Sequence, residues 1–134
     1  MTITEVSKKY GLTPDTLRYY ERIGLIPPVP RGKGGARDYG EESCQWVELM
    51  KCMRSAGVQI EALIEYAALT QRGDETLEAR RTLLVRQRQQ LSARMADMQA
   101  SLDRLDYKIN RYTQLMGGES SKSPSSDPSP QSKR

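Results

Sequence analysis

The sequence predicts an all-α protein: an N-terminal head of short helices, one long helix, and a polar tail. Three observations carry this. Residues 2–26 hold two helix start signals separated by a glycine turn. Residues 41–71 place apolar side chains at helical spacing. Residues 75–116 contain neither Pro nor Gly and repeat apolar residues every seven positions. The expected organisation is a head over 1–72, a long helix over 73–116 and a disordered tail over 117–134.

The first helix opens on Thr2-Ile3-Thr4-Glu5, a capping box in which the Thr2 hydroxyl and the Glu5 carboxylate each satisfy the other's backbone amide. Ile3, Val6 and Tyr10 mark one face, and Gly11 ends the helix. The second helix starts with Thr13 as N-cap and Pro14 at the first helical position, where a missing N–H costs nothing. Gly24 suits the left-handed residue that ends it. Leu17 and Tyr20 point inward, which leaves Thr16, Arg18, Tyr19 and Arg22 for solvent. Two short helices, a glycine turn and a basic second helix read as helix-turn-helix, with guanidinium and hydroxyl groups suited to phosphates and base edges. On this motif alone, a nucleic-acid reader and a structural hairpin with solvated Arg and Tyr are equally open.

Residues 27–39 cannot be helical, because they contain Pro27, Pro28, Pro30, Gly32, Gly34 and Gly35. The segment is long beside the median of about 4–6 residues for loops in compact domains. It carries Arg31, Lys33 and Arg37 and reaches Tyr39, so it reads as a wing that tracks a sugar–phosphate backbone. Residues 1–40 have seven Lys or Arg against four Asp or Glu, a net +3 of the chain's formal +4. The pI of 9.2 fits nucleic acid or another anionic surface without choosing between them.

Glu41 and Glu42 begin a third helix, favourably placed for its dipole. Trp46, Leu49, Met50 and Met53 form its expected core face, which puts Cys44 nearly opposite the core and Cys52 on the flank. A fourth helix over 60–71 presents Ile60, Leu63, Ile64 and Ala67 on one side. Asp74 is the expected cap of the long helix. There Leu77, Leu84, Leu91, Met98, Leu105 and Tyr112 alternate with Arg81, Arg88, Met95, Leu102, Ile109 and Met116 in a heptad register. At 1.5 Å per residue this helix is roughly 60 Å long. So long a stripe calls for a partner helix from a second subunit rather than a fold back onto its own head.

The 134 residues contain no histidine, and their two cysteines are Cys44 and Cys52. A Cys/His zinc or copper site within one chain is therefore excluded, and a four-thiolate iron–sulfur cluster is too. No histidine base and no arranged Ser or Cys nucleophile argue against an enzyme, and nothing calls for a cofactor. No apolar run is long enough to cross a membrane, and no secretory signal opens the chain, so the expected location is the cytoplasm.

Arg18-Tyr19-Tyr20-Glu21, Gly24-Leu25-Ile26, Arg37-x-Tyr39 and Arg54-Ser55-Ala56-Gly57-Val58 occur in an order that resembles the MerR family of bacterial transcription regulators. Gln59 departs from the family's usual Ser or Thr cap on the following helix, and the wing is unusually rich in glycine. The resemblance implies a winged helix-turn-helix head and an antiparallel coiled-coil homodimer. It also implies that the dimer distorts promoter DNA so that RNA polymerase can engage. Its expected contacts to double-stranded promoter DNA are Thr13, Asp15, Thr16, Arg18, Tyr19, Arg22, Arg31, Lys33, Arg37, Tyr39 and Arg54.

Chemistry alone leaves Cys52 a half-buried inert thiol, since the adjacent Lys51 cannot face it and Glu48 opposes ionisation. Leu49-x-x-Cys52-Met53-Arg54-x-x-Gly57, however, resembles the thiol-sensing NmlR/AdhR-like branch, which implies that Cys52 senses aldehyde or nitrosative stress. One alternative is a regulator with a non-covalent ligand pocket lined by Trp46 or Tyr66. Alternatives of another class are a coiled-coil adaptor and a thiol enzyme.

Overall fold

The computed structural model describes residues 1–117; the tail expected over 117–134 lies outside the described residues from 118 onward. Among the described residues there is no named strand. Five α-helices follow in order: α1 (Ile3–Tyr10), α2 (Pro14–Arg22), α3 (Glu41–Ser55), α4 (Ile60–Gln71) and α5 (Leu77–Leu115). Two short 3₁₀ turns, Lys33–Gly35 and Asp74–Thr76, interrupt the loops before α3 and α5. The chain divides into two units, Met1–Leu91 and a second that begins at Ser92. No helix among the described residues is long and apolar enough to cross a membrane.

The first unit is built on local signals that the backbone obeys. Thr2 and Glu5 form the reciprocal capping box, and Gly11 closes α1 in the left-handed conformation. The Thr13 hydroxyl accepts from the Thr16 amide, with Pro14 at the first position of α2. After α2 the chain must reverse, and Gly24 does this at φ 82°, a value that penalises any side chain with a Cβ. The amides of Leu25 and Ile26 then both donate to the Tyr20 carbonyl, at 2.8 and 3.3 Å. That reversal drops Leu25 and Ile26 straight into the core.

The core joins Val6 of α1, Leu17 and Tyr20 of α2, Leu25, Ile26, Val29 and Tyr39 of the loop, Val47 and Met50 of α3, Val58, and Leu63 of α4. Each fully buried aliphatic side chain contributes about 1.5–3 kcal/mol relative to exposure. α1 packs against both α2 and α3. The solvent-facing side of α2 is thereby fixed by what its inner side touches.

Two sequence expectations need correction here. The buried face of α3 is Cys44, Val47 and Met50; Leu49 is exposed, and Trp46 and Met53 are half-buried. The helix is rotated from the expected phase because Val47, a short residue left out of the apolar set, is the one that fits against the core. Nor does Asp74 cap α5: Gly73 precedes a 3₁₀ turn with no side-chain cap. Thr76 takes over the joint. It is 4% exposed, and its hydroxyl lies 2.7 Å from the Leu69 carbonyl and 2.8 Å from that of Gly73. Arg80 donates to the same Thr76 oxygen and to the Gly73 carbonyl, at 2.9 and 2.6 Å.

In α5 none of the 39 residues is buried. Within the second unit Met95, Met98, Leu102, Leu105, Ile109 and Tyr112 are all exposed along the heptad register. The helix is held by its own ladder and by local pairs such as Gln99 donating to Asp103 at 2.9 Å.

Candidate nucleic-acid interface

The outer face of α2 presents Asp15, Arg18, Tyr19 and Arg22 to solvent. Thr16 is half-buried, and its hydroxyl accepts from that of Thr13 at 2.9 Å. Arg18 Nη1 donates to Asp15 Oδ1 at 2.9 Å. The Arg22 guanidinium lies 5.4 Å from the centroid of the Tyr19 ring, a cation–π distance. The face is therefore cationic and aromatic but not loose, because each long side chain leans on a neighbour one turn away.

The wing is a narrow loop with braced stems. Arg31 and Arg37 meet as an isolated antiparallel bridge, and the Asp38 amide donates to the Pro30 carbonyl at 2.8 Å. The tip closes on itself: the Gly32 amide donates to the Ala36 carbonyl, and that of Gly35 to the Gly32 carbonyl. Gly34 and Gly35 adopt φ values of 83° and 85°, which makes the tight tip possible. Arg31 donates to the Gly35 carbonyl and is exposed, as is Lys33.

Glu21 ties this wing to α2. One carboxylate oxygen accepts from Arg37 Nε at 2.6 Å, and the other accepts from the Val29 amide at 2.9 Å. One side chain thus holds both stems. Burial alone would raise the Glu21 carboxyl, but the Arg37 and Val29 hydrogen bonds and the charges of Arg37 and Arg31 outweigh it and hold it below its ordinary value. The Arg18-Tyr19-Tyr20-Glu21 run by itself does not reveal this role of Glu21, since its partner stands 16 positions away.

Three of the expected DNA contacts are committed elsewhere in the structure. Tyr39, expected at the surface, is corrected to a core residue at 1% exposure; its hydroxyl is buried without a hydrogen-bond partner among the described residues, and burial pushes its phenol up. Arg37 is half-buried on Glu21. Arg54 is exposed, and its Nη1 donates to the Val58 carbonyl at 2.6 Å, closing the turn between α3 and α4. Thr13, Asp15, Arg18, Tyr19, Arg22, Arg31 and Lys33 are the expected contacts that stand exposed besides Arg54.

Against known proteins, the model of the MerR HTH family of regulatory proteins matches residues 1–69. The chain belongs to the MerR family. It is 58% identical over 91 residues to the HTH-type transcriptional regulator AdhR of Bacillus subtilis, covering 68% of this chain. The chain spans 65% of the length of that relative. A MerR family regulator from Listeria monocytogenes superposes with a TM-score of 0.85 at 51% identity, over 87% of this chain and 89% of that one. HiNmlR, a MerR family regulator lacking the sensor domain and solved bound to promoter DNA, gives a TM-score of 0.76 at 29% identity. That match covers 87% of this chain and 94% of HiNmlR. All three of these relatives are described as regulators.

The two cysteines of the MerR head differ sharply. Cys52 is exposed on α3. Cys44 is buried at 9% exposure, with its sulfur 3.8 Å from that of Met1. The expectation that Cys44 faces away from the core is thus corrected by the same helix rotation that exposes Leu49. Trp46 and Tyr66 pack ring against ring, with centroids 5.7 Å apart. Trp46 also lines an open hollow of about 300 Å³ with Pro27, Pro28, Pro30 and the first turn of α3.

Proposed function

We propose that this MerR chain is a homodimeric regulator that binds promoter DNA through α2 and the wing and responds to electrophiles through Cys52. The observation that carries the DNA reading is the Glu21 brace. It fixes a loop bearing the exposed cations Arg31 and Lys33 to the helix that bears Arg18, Tyr19 and Arg22. HiNmlR supports the reading, being a relative solved on promoter DNA. Residues 1–72 then serve as the DNA-binding head and residues 73–116 as the dimerisation helix. The uncovered stripe on α5 supports a two-stranded coil, since an exposed heptad seam is satisfied by a second copy, and the resemblance to the MerR family supports the antiparallel arrangement. The site of action is promoter DNA in the cytoplasm. There the dimer distorts the duplex, at a cost of order 1–6 kcal/mol, so that RNA polymerase engages.

For sensing, the exposure of Cys52 and the 58% identity to AdhR are the support. Addition of an aldehyde to the thiol forms an S–C bond while the carbonyl oxygen takes up the thiol proton, so nothing leaves and no oxidant is needed. Two measurements test this function. In gel shifts, Arg18→Ala and Tyr19→Phe weaken operator binding while sedimentation still shows a dimer; unchanged affinity in both variants overturns the α2 assignment. In a promoter–reporter strain challenged with formaldehyde, methylglyoxal or a nitric-oxide donor, Cys52→Ala loses most induction and Cys44→Ala keeps it. Full induction in Cys52→Ala moves the sensor to a non-covalent ligand site.

A further inference from the structure

The first turn of α2 contains a feature that phosphate binding alone does not explain. A helix that approaches a polyanion should shed carboxylates from its leading face. Asp15 nevertheless stands there with its side chain 95% exposed, its one ion pair among the described residues being the 2.9 Å contact to Arg18. It is solvent-exposed and so does not pack in the core, and it is not the N-cap, which is Thr13; its first-turn position suits the helix dipole, but the dipole does not call for the ion pair with Arg18. The Arg18 side chain remains 45% exposed although one guanidinium nitrogen is engaged. A guanidinium anchored on one side and open on the other has a defined direction. A free one swings to the nearest phosphate.

We propose that Asp15 is a specificity-determining residue of the DNA interface, acting through Arg18. The inference rests on the reading of α2 as the DNA-facing helix. The carboxylate does two things. It fixes the guanidinium so that its remaining N–H groups meet a base edge in one register, the geometry by which Arg discriminates guanine. It also repels phosphate, which penalises every binding mode in which α2 slides along the backbone rather than seating in the groove. Asp15 therefore lowers affinity for DNA at large while raising discrimination, the opposite signature from an ordinary contact residue.

The experiment uses the full chain and duplexes that the wild type enriches from a random-sequence library. Affinities for the enriched duplex, for single-base variants of it and for a scrambled duplex are measured over a range of salt. The proteins are wild type, Asp15→Asn, Asp15→Glu, Arg18→Ala and the Asp15→Asn/Arg18→Ala double variant. For Asp15→Asn we expect the ratio of enriched to scrambled affinity to fall about tenfold, with discrimination lost at one base position. Affinity for the scrambled duplex rises, and the slope of log affinity against log salt steepens by about one. Asp15→Glu keeps the shallower slope. In the Arg18→Ala background the Asp15 substitution loses its effect on base discrimination. A merely structural role for Asp15 would lower both affinities together and leave the base preference intact. Wild-type selectivity and slope retained in Asp15→Asn overturn this proposal and leave the DNA-binding reading standing. A wild type that enriches no consensus overturns both.

Discussion

The head and the long helix treat their apolar residues in opposite ways. In the head, Val6, Leu17, Leu25, Val47 and Met50 have no exposed surface, while the cations of α2 and the wing stand outside. In α5 nothing is buried, and methionines, leucines, an isoleucine and a tyrosine lie open along one register. Both segments are α-helical and both follow strong sequence periodicities, so secondary structure does not separate them. Completeness does. The head satisfies its hydrophobic groups within one chain, whereas the stripe of α5 is left uncovered by its own chain.

The largest effect that sharpens this contrast comes from reversing the stripe. Leu102→Glu combined with Ile109→Glu should give a monomer by sedimentation, and its operator affinity should drop about a hundredfold or more as the linked second half-site is lost. The head should keep its fold by circular dichroism. The matching change in the head behaves differently: Leu17→Ala should cost about 2–5 kcal/mol in urea denaturation. A stripe variant that stays dimeric would erase the distinction drawn between the two segments.

A smaller effect tests what braces the head's exposed side. Glu21→Gln leaves the Arg37 guanidinium half-buried without its counter-charge, which should cost about 1–3 kcal/mol. It should also weaken operator binding through a slackened wing. The pH dependence has a definite sign. The Glu21 carboxyl is held below its ordinary value in the folded head, so its contribution is fully present above the unfolded value near ~4.3. That contribution is lost as pH falls through the lower folded value. The wild type should therefore lose stability on this acid limb, and the Gln variant should show less of that loss.

The smallest effect is at Tyr39. Its hydroxyl is buried without a partner among the described residues, so Tyr39→Phe should leave thermal stability unchanged or slightly raised, and operator affinity unaltered. A clear fall in affinity with stability preserved would return this ring to the DNA surface.

These contrasts also mark what was legible in the residues. Caps and stops are local chemistry, so Thr2, Glu5, Thr13, Pro14 and Gly24 announced α1 and α2 from the chain alone. The span of α4 and the length of α5 followed from periodicity in the same way. Burial was less accessible. The phase of α3 depends on which of Val47 and Leu49 meets the core, and both are apolar. Tyr39 sits two residues from Arg37 in a basic loop, and that setting says nothing about the core behind it. At the interface, the exposed cations were visible because charge is local. The Glu21 brace and the Thr76–Arg80 joint were not, because each is made by partners that only the folded chain brings together.

The wing tip has a consequence of its own. Residues 32–36 hydrogen-bond chiefly to one another, while the stems on either side are pinned by Glu21 and by the Pro30–Asp38 bond. Holder and tip are therefore separable, as a chuck is from its drill bit. Length and charge at the tip can be exchanged, as a cassette between Arg31 and Arg37, without re-engineering the helix that carries it. If the wing contacts DNA as proposed, exchanging these five residues should retune that contact with the rest of the fold left as it stands.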